Sequence, residues 1–141
     1  MTATDRELLV RIDDGIAHVT LNRPQARNAL TFGMYEELAK LCARAGRADD
    51  ADHIKAIVIA GAGDKAFAAG TDIGQFTDFD STEDGLRYEA KVESVISQIE
   101  SCQVPVIAAL HGAVTGGGLV IAAAAHVRIA SAAAVAGMPI A

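Results

Sequence analysis

Between Glu100 and Arg128 the chain carries no Asp, Glu, Lys or Arg, and none follows Arg128 to Ala141. An uncharged run of this length is either a membrane element or the interior of a fold. Pro105, His111, Gly112, the triplet Gly116-Gly117-Gly118 and His126 interrupt it. In lipid the backbone around three glycines would lack hydrogen-bond partners, so no membrane association is expected. The segment reads as interior structure, which needs a cover. It ends in Gly137-Met138-Pro139-Ile140-Ala141 with no polar cap. The expectation is that residues 1–141 form the N-terminal part of a single domain whose C-terminal remainder is absent, or one completed by a partner surface.

The rest of the composition fits that reading. Hydrophobic residues make up 51% of the 141 positions and charged residues only 21%, so a folded core is expected and disorder is excluded. The formal charge is −6 and no Lys/Arg cluster occurs, which argues against nucleic acid, whose binding draws on cationic contacts to phosphate. The two cysteines, Cys42 and Cys102, form no CxxC or Cys/His cluster; neither a disulfide framework nor a metal site is signalled. Reduced thiols and an N-terminus with charges where a secretory leader needs an apolar run predict a cytoplasmic protein.

Periodicity predicts an α/β chain in the order ββαβ(α)αβαβ. Leu8–Ile12 and Ile16–Leu21 alternate apolar and polar residues around Asp13-Asp14-Gly15, the chemistry of a hairpin turn. After the loop Asn22–Asn28, Thr31 is the expected N-cap of a helix over 32–47, with Met34, Leu38, Leu41 and Cys42 on its buried face. His53–Ala60 reads as a buried strand, followed by a loop through Phe67–Ile73. Ser81-Thr82-Glu83-Asp84 opens a helix that Leu86, Ala90, Val92, Val95, Ile96 and Ile99 sustain toward Cys102. Val106–Leu110 is a strand, the glycine triplet a turn, Leu119–Ala125 a buried helix and Val127–Ala130 a strand.

Two glycine-rich loops could carry chemistry. Gly61-Ala62-Gly63-Asp64-Lys65-Ala66 approaches the GxGxxG/A dinucleotide fingerprint, but that fingerprint requires a helix to open at once, and Phe67–Asp72 reads as more loop. Gly116-Gly117-Gly118 precedes a helix of small residues, where bare amides and the helix dipole can hold an anion; close helix packing explains the same residues.

The two loops belong to a larger pattern. Leu21-Asn22-Arg23-Pro24-Gln25-Ala26-Arg27-Asn28-Ala29-Leu30, then Lys65-Ala66-Phe67-Ala68-Ala69-Gly70-Thr71-Asp72-Ile73, then His111-Gly112-Ala113-Val114-Thr115-Gly116-Gly117-Gly118 occur in this order. Together they resemble three ordered motifs of the enoyl-CoA hydratase/isomerase, or crotonase, superfamily, and the resemblance covers about Leu8 to Ala141. It implies a crotonase-like ββα superhelix of the ClpP/crotonase type, incomplete at the C-terminus, and an enzyme of fatty acid metabolism acting on acyl-CoA, as a homotrimer or hexamer at full length. Coenzyme A enters as part of the substrate; no covalently bound cofactor and no metal are implied.

By the same resemblance, the backbone N–H groups of Thr71 and Gly117 form an oxyanion hole that stabilises a thioester enolate. Gly117→Pro should then suppress turnover and Thr71→Ala should be mild, since the donors are backbone. Arg23, Ala26 and Arg27, then Ala66, Ala68, Ala69, Gly70, Asp72 and Ile73, and finally Gly116, correspond to residues lining the substrate. Arg23 and Arg27 are either phosphate contacts or solvated loop charges. The chain departs from the hydratase pattern at Val120 and Ile140, where glutamates are usual. General acid/base work is therefore missing from both positions. Isomerase or other enolate chemistry and a non-catalytic CoA-thioester binding module remain as alternatives. Simple structural roles are expected for His18, His53 and His126 and a cap for Asp72; His111 is either a base beside the glycine loop or, as expected, a histidine held by backbone, and Tyr88 and Glu89 either face the acyl pocket or, as expected, lie on the helix surface.

Overall fold

Asp14 and Gly15 both adopt positive φ, 50° and 78°, giving the two-residue turn that matches strand twist. They join β1 (Leu8–Asp13) to β2 (Ile16–Leu21), paired antiparallel from Leu8 opposite Leu21 to Asp13 opposite Ile16. The computed structural model describes residues 6–72, 74 and 81–138. A short 3-10 turn at Pro24–Ala26 follows the hairpin, then α1 (Phe32–Arg44), β3 (Ala56–Gly61), β4 (Ala66–Ala69), α2 (Thr82–Glu100), β5 (Val106–Leu110), β6 (Ala113–Thr115), α3 (Gly117–Ala124), β7 (Val127–Ala130) and β8 (Val135–Gly137).

Five strands form one sheet in the order β1-β2-β3-β5-β7, and three form a second in the order β4-β6-β8. Beyond the hairpin every pairing is parallel. From β3 onward the chain places one strand in each sheet, crosses by a helix, and repeats: β3-β4-α2, β5-β6-α3, β7-β8. This is the ββα superhelix. Its core contains Leu21, Ile57, Ile59, Phe67, Val106, Val114 and Ile121, all at most 1% exposed.

Thr31 caps α1 as expected, its hydroxyl accepting from Met34 N at 3.2 Å, and the four predicted face residues are buried. Burial pushes the Cys42 thiol upward in pKa, with Cys102 beside it; both cysteines are free. Ser81 likewise caps α2. Three strands differ from expectation. β4 lies in the presumed loop, and β6 and β8 were not foreseen; these strands have three or four residues each and take their order from parallel pairing rather than local pattern. α3 starts at Gly117, inside the presumed turn. β3 starts at Ala56 rather than His53, because His53 has φ 49° and the buried Asp50 carboxylate accepts from Ile54 N at 3.1 Å, tying that stretch into a turn. Within the uncharged run that was expected to need a cover, Val104, Val106 and Val114 are buried, whereas Val127, Ile129, Val135 and Met138 are 46–69% exposed.

Candidate functional site

The first motif folds around Asn28, which is fully buried. Its Oδ1 accepts from Arg23 N, and its Nδ2 donates to the carbonyls of Ala62 and Ala66, each at 2.9 Å. The loop is thereby fastened to the β3–β4 connection. Arg23 reinforces it: Nη1 donates to Ala29 O at 2.7 Å, Nη2 to Asp72 Oδ2 at 2.9 Å, and Nε lies 3.1 Å from Glu7 Oε2. Arg23 is thus a clamp between the two loops, neither a solvated charge nor an open phosphate contact. Arg27 is exposed and lines a cleft of about 160 Å³ with Pro24, Gly63, Lys65 and Ala66. Ala26 ends the 3-10 turn above it.

The second motif runs from this cleft along β4. Ala66 and Ala68 are buried, Ala69 N donates to Arg27 O, and Gly70 N donates to Thr115 O. Leu30 N donates to Gly70 O and Asp72 N to Leu30 O, so Thr71 is held in a bridge to Leu30 with its own amide on the other side. Asp72 caps locally, Oδ1 accepting from Gly74 N at 2.9 Å, while Oδ2 binds Arg23. Ile73 and Ile140 lie outside the described residues.

The three glycines of the third motif serve three purposes. Gly116 takes φ 53° and ψ −125°, a conformation side chains rarely adopt, and a Cβ there would lie 3.0 Å from Gly70 Cα. A Cβ on Gly118 would collide with the Ala68 carbonyl, so glycine lets α3 settle on β4; the packing explanation holds for this residue. A Cβ on Gly117 would strike Tyr35 Oη and lie 2.7 Å from Thr71 Oγ1. Gly117 and Thr71 are therefore neighbours. Among the described residues no partner takes the amide hydrogen of either, and α3 begins at Gly117, where its dipole is positive.

Two tyrosines meet Thr71: Tyr35, which the sequence reading did not include, and Tyr88, for which it weighed the acyl pocket against the helix surface. Tyr35, from α1, is 1% exposed and its hydroxyl lies 3.0 Å from Thr71 Oγ1. Burial pushes its pKa up to about 12, with the Thr71 bond opposing, so it stays protonated at neutral pH. Tyr88, expected on the helix surface, instead donates to Thr71 Oγ1 at 3.4 Å and packs on Phe32 with ring centroids 5.3 Å apart. Tyr88 and Phe32, but not the buried Tyr35, line a cavity of about 150 Å³ with Asp84, Arg87 and Lys91. Glu89 is exposed as expected. Tyr35 sits one residue along from Met34 in the apolar stripe, which disguised it as core.

The histidines are held by backbone. His126 Nδ1 accepts from Val106 N and its Nε2 lies 3.0 Å from Glu100 O, while His111 Nε2 lies 2.9 Å from Gly63 O. His18 lies in β2, and His53 in the turn before β3 rather than on a strand. Gly61-Ala62-Gly63 opens no helix; Gly61 ends β3 against the backbone of Phe67, and β4 follows. That removes the dinucleotide reading, which needs a helix N-terminus there. Val120 lies on α3, half-buried. Among the described residues no group of three or more acidic, His or Cys side chains could hold a metal, and no helix is long and apolar enough to cross a membrane.

Comparison with known proteins agrees with this geometry. Residues 11–141 match the enoyl-CoA hydratase/isomerase sequence family. The short-chain-enoyl-CoA hydratase of Clostridium acetobutylicum is 36% identical over 124 residues, which are 88% of this chain and 46% of that protein. The crystal structure of an enoyl-CoA hydratase/carnithine racemase from Magnetospirillum magneticum superposes with a TM-score of 0.83 at 33% identity, covering 95% of this chain and 49% of that one. An enoyl-CoA hydratase from Thermoplasma volcanium gives 0.80 at 34% identity, with 94% and 51% covered. The chain thus spans about half the length of the relatives it matches. With this fold, the three motifs in order and a match over nearly its whole length, the chain belongs to the enoyl-CoA hydratase/isomerase family and forms part of a crotonase fold.

Proposed function

We propose that the protein binds an acyl-CoA thioester and stabilises its enolate, with the Thr71 and Gly117 amides as donors to the thioester oxygen. The observation that carries this reading is the juxtaposition of Thr71 and Gly117, each with an amide that no described residue engages. Enolisation, hydration and isomerisation all load negative charge onto that oxygen, and two aimed N–H groups favour it. The nucleotide end would occupy the cleft of Arg27 and Lys65. An extended strand from Ala66 to Gly70 covers about 13 Å, which separates the two ends of a long substrate. Ala26, Ala66, Ala68, Ala69, Gly70 and Gly116 would line the path, and Arg23 and Asp72 would position it. Coenzyme A is part of the substrate, and no further cofactor is required. A cytoplasmic homotrimer or hexamer active in fatty acid metabolism belongs to the same proposal.

Val120 supports a second reading, a CoA-thioester binding module without turnover, because an apolar residue stands where the resemblance expects a carboxylate.

The test is crotonyl-CoA turnover by the full-length protein carrying Gly117→Pro or Gly117→Ala. Both add a Cβ against Tyr35 and Thr71, but only proline removes the N–H. Proline should fall about 10²- to 10³-fold below alanine. Equal activity of the two variants would remove Gly117 from the donor pair.

A further inference from the structure

Leu30 and Thr71 meet in a single parallel bridge. Leu30 N donates to Gly70 O at 3.0 Å, and Asp72 N donates to Leu30 O at 2.9 Å. The peptide joining Gly70 to Thr71 is trans and planar, so its C=O and its N–H point in opposite directions. Fastening Gly70 O to Leu30 therefore turns the Thr71 N–H away from Leu30 and leaves it open. On the other flank Gly70 N donates to Thr115 O at 2.9 Å, which ties the same peptide to the strand that leads into the glycine triplet. The aim of the first proposed donor thus depends on how firmly this bridge is held.

Arg23 spans the bridge. Its Nη1 donates to Ala29 O, the carbonyl just before Leu30, at 2.7 Å, and its Nη2 donates to Asp72 Oδ2, just after Thr71, at 2.9 Å. The two contacts fall on opposite sides of the bridge. Nε lies 3.1 Å from Glu7 Oε2, so three acceptors fix the plane of a guanidinium whose donors are themselves rigidly arranged. The side chain is only 17% exposed, which shelters these contacts from water. We infer that Arg23, acting through Asp72, is a positioning residue for the Thr71 amide, setting the aim of that donor without touching the substrate. This inference rests on the thioester reading above. It assigns Arg23 to stabilisation of the enolate rather than to affinity for coenzyme A, although its motif resembles one that lines the substrate.

The experiment follows, in the full-length protein, the near-ultraviolet band of bound acetoacetyl-CoA enolate and the affinity for free coenzyme A, which lacks the acyl oxygen. The variants are Arg23→Met, Asp72→Ala and, as a control, Arg44→Gln, which breaks the ion pair with Asp50. A shift of about 1 Å in a positioned group can cost about a hundredfold, so Arg23→Met and Asp72→Ala should form the bound enolate about tenfold to a hundredfold less readily. Free coenzyme A should bind both as it binds the unaltered protein. The double variant should lose little more than Arg23→Met alone, because the pair acts as a unit. Arg44→Gln should lower the unfolding midpoint and keep the enolate band. If Arg23→Met does not fold, Asp72→Ala, at the more exposed end of the pair, decides the matter. An undiminished band in Asp72→Ala, a loss confined to coenzyme A affinity, or an equal loss of the band in Arg44→Gln would overturn the inference while leaving the amide pair standing. Absence of the band in the unaltered protein would overturn the thioester reading and the inference with it.

Discussion

Asn28 holds the site together from a position that touches none of the proposed chemistry. Its side chain makes three hydrogen bonds at 2.9 Å inside the fold. Asn28→Ala would orphan one amide and two carbonyls, and each buried orphan costs about 1–3 kcal/mol. Urea unfolding should therefore show a loss of about 3 kcal/mol or more; an unchanged midpoint would mean that the loop relaxes without it. None of this was legible locally, because the carbonyl partners lie 34 and 38 residues away in sequence. Thr71 and Gly117 could be picked out only through the ordered motifs. Tyr35 could not, since its contact with Thr71 joins residues 36 apart in sequence, and for Tyr88 the sequence left the acyl pocket and the helix surface both open.

At the scale of elements, the parts with their own signal were readable. The hairpin follows from Asp14-Gly15, α1 from Thr31 and its apolar stripe, and α2 from Ser81. The second sheet was not: β4, β6 and β8 are short and alanine- or glycine-rich, and parallel partners supplied by distant turns of the superhelix create them. The α1–β3 connection shows how one side chain sets a boundary. Asp50 accepts from Ile54 N and Asp52 N and pairs with Arg44 at 2.6 Å. The Ile54 hydrogen bond foremost, then Asp52 and Arg44, hold its carboxyl below the usual carboxylate range against desolvation. A depressed folded-state pKa stabilises the fold fully above the unfolded value of about 3.9 and is lost as pH falls through the lower folded value. Asp50→Asn should thus lower stability at neutral pH and flatten the acid limb of a stability-against-pH curve. Parallel curves for the two proteins would contradict this.

For the whole molecule, the repeating ββα path puts every catalytic candidate at one seam, where the end of β4 meets the start of α3. The same path leaves β7 and β8 exposed, with Ile129 at 62% and Val135 at 69%. Contiguous apolar patches of this kind are uncommon on monomers. Residues 1–141 expressed alone should bind a hydrophobic dye and associate; a dispersed, dye-free monomer in sedimentation would show the face to be self-sufficient. This feature was legible from the single charge, Arg128, carried after Glu100, though its confinement to Val127–Met138 needed the fold. The central claim is that one oxygen of a thioester sits between two amides. A crystal structure of the full-length protein with acetoacetyl-CoA tests it most directly. The account predicts the acyl oxygen at about 2.7–3.1 Å from both Thr71 N and Gly117 N. A thioester bound with that oxygen away from either nitrogen would contradict it.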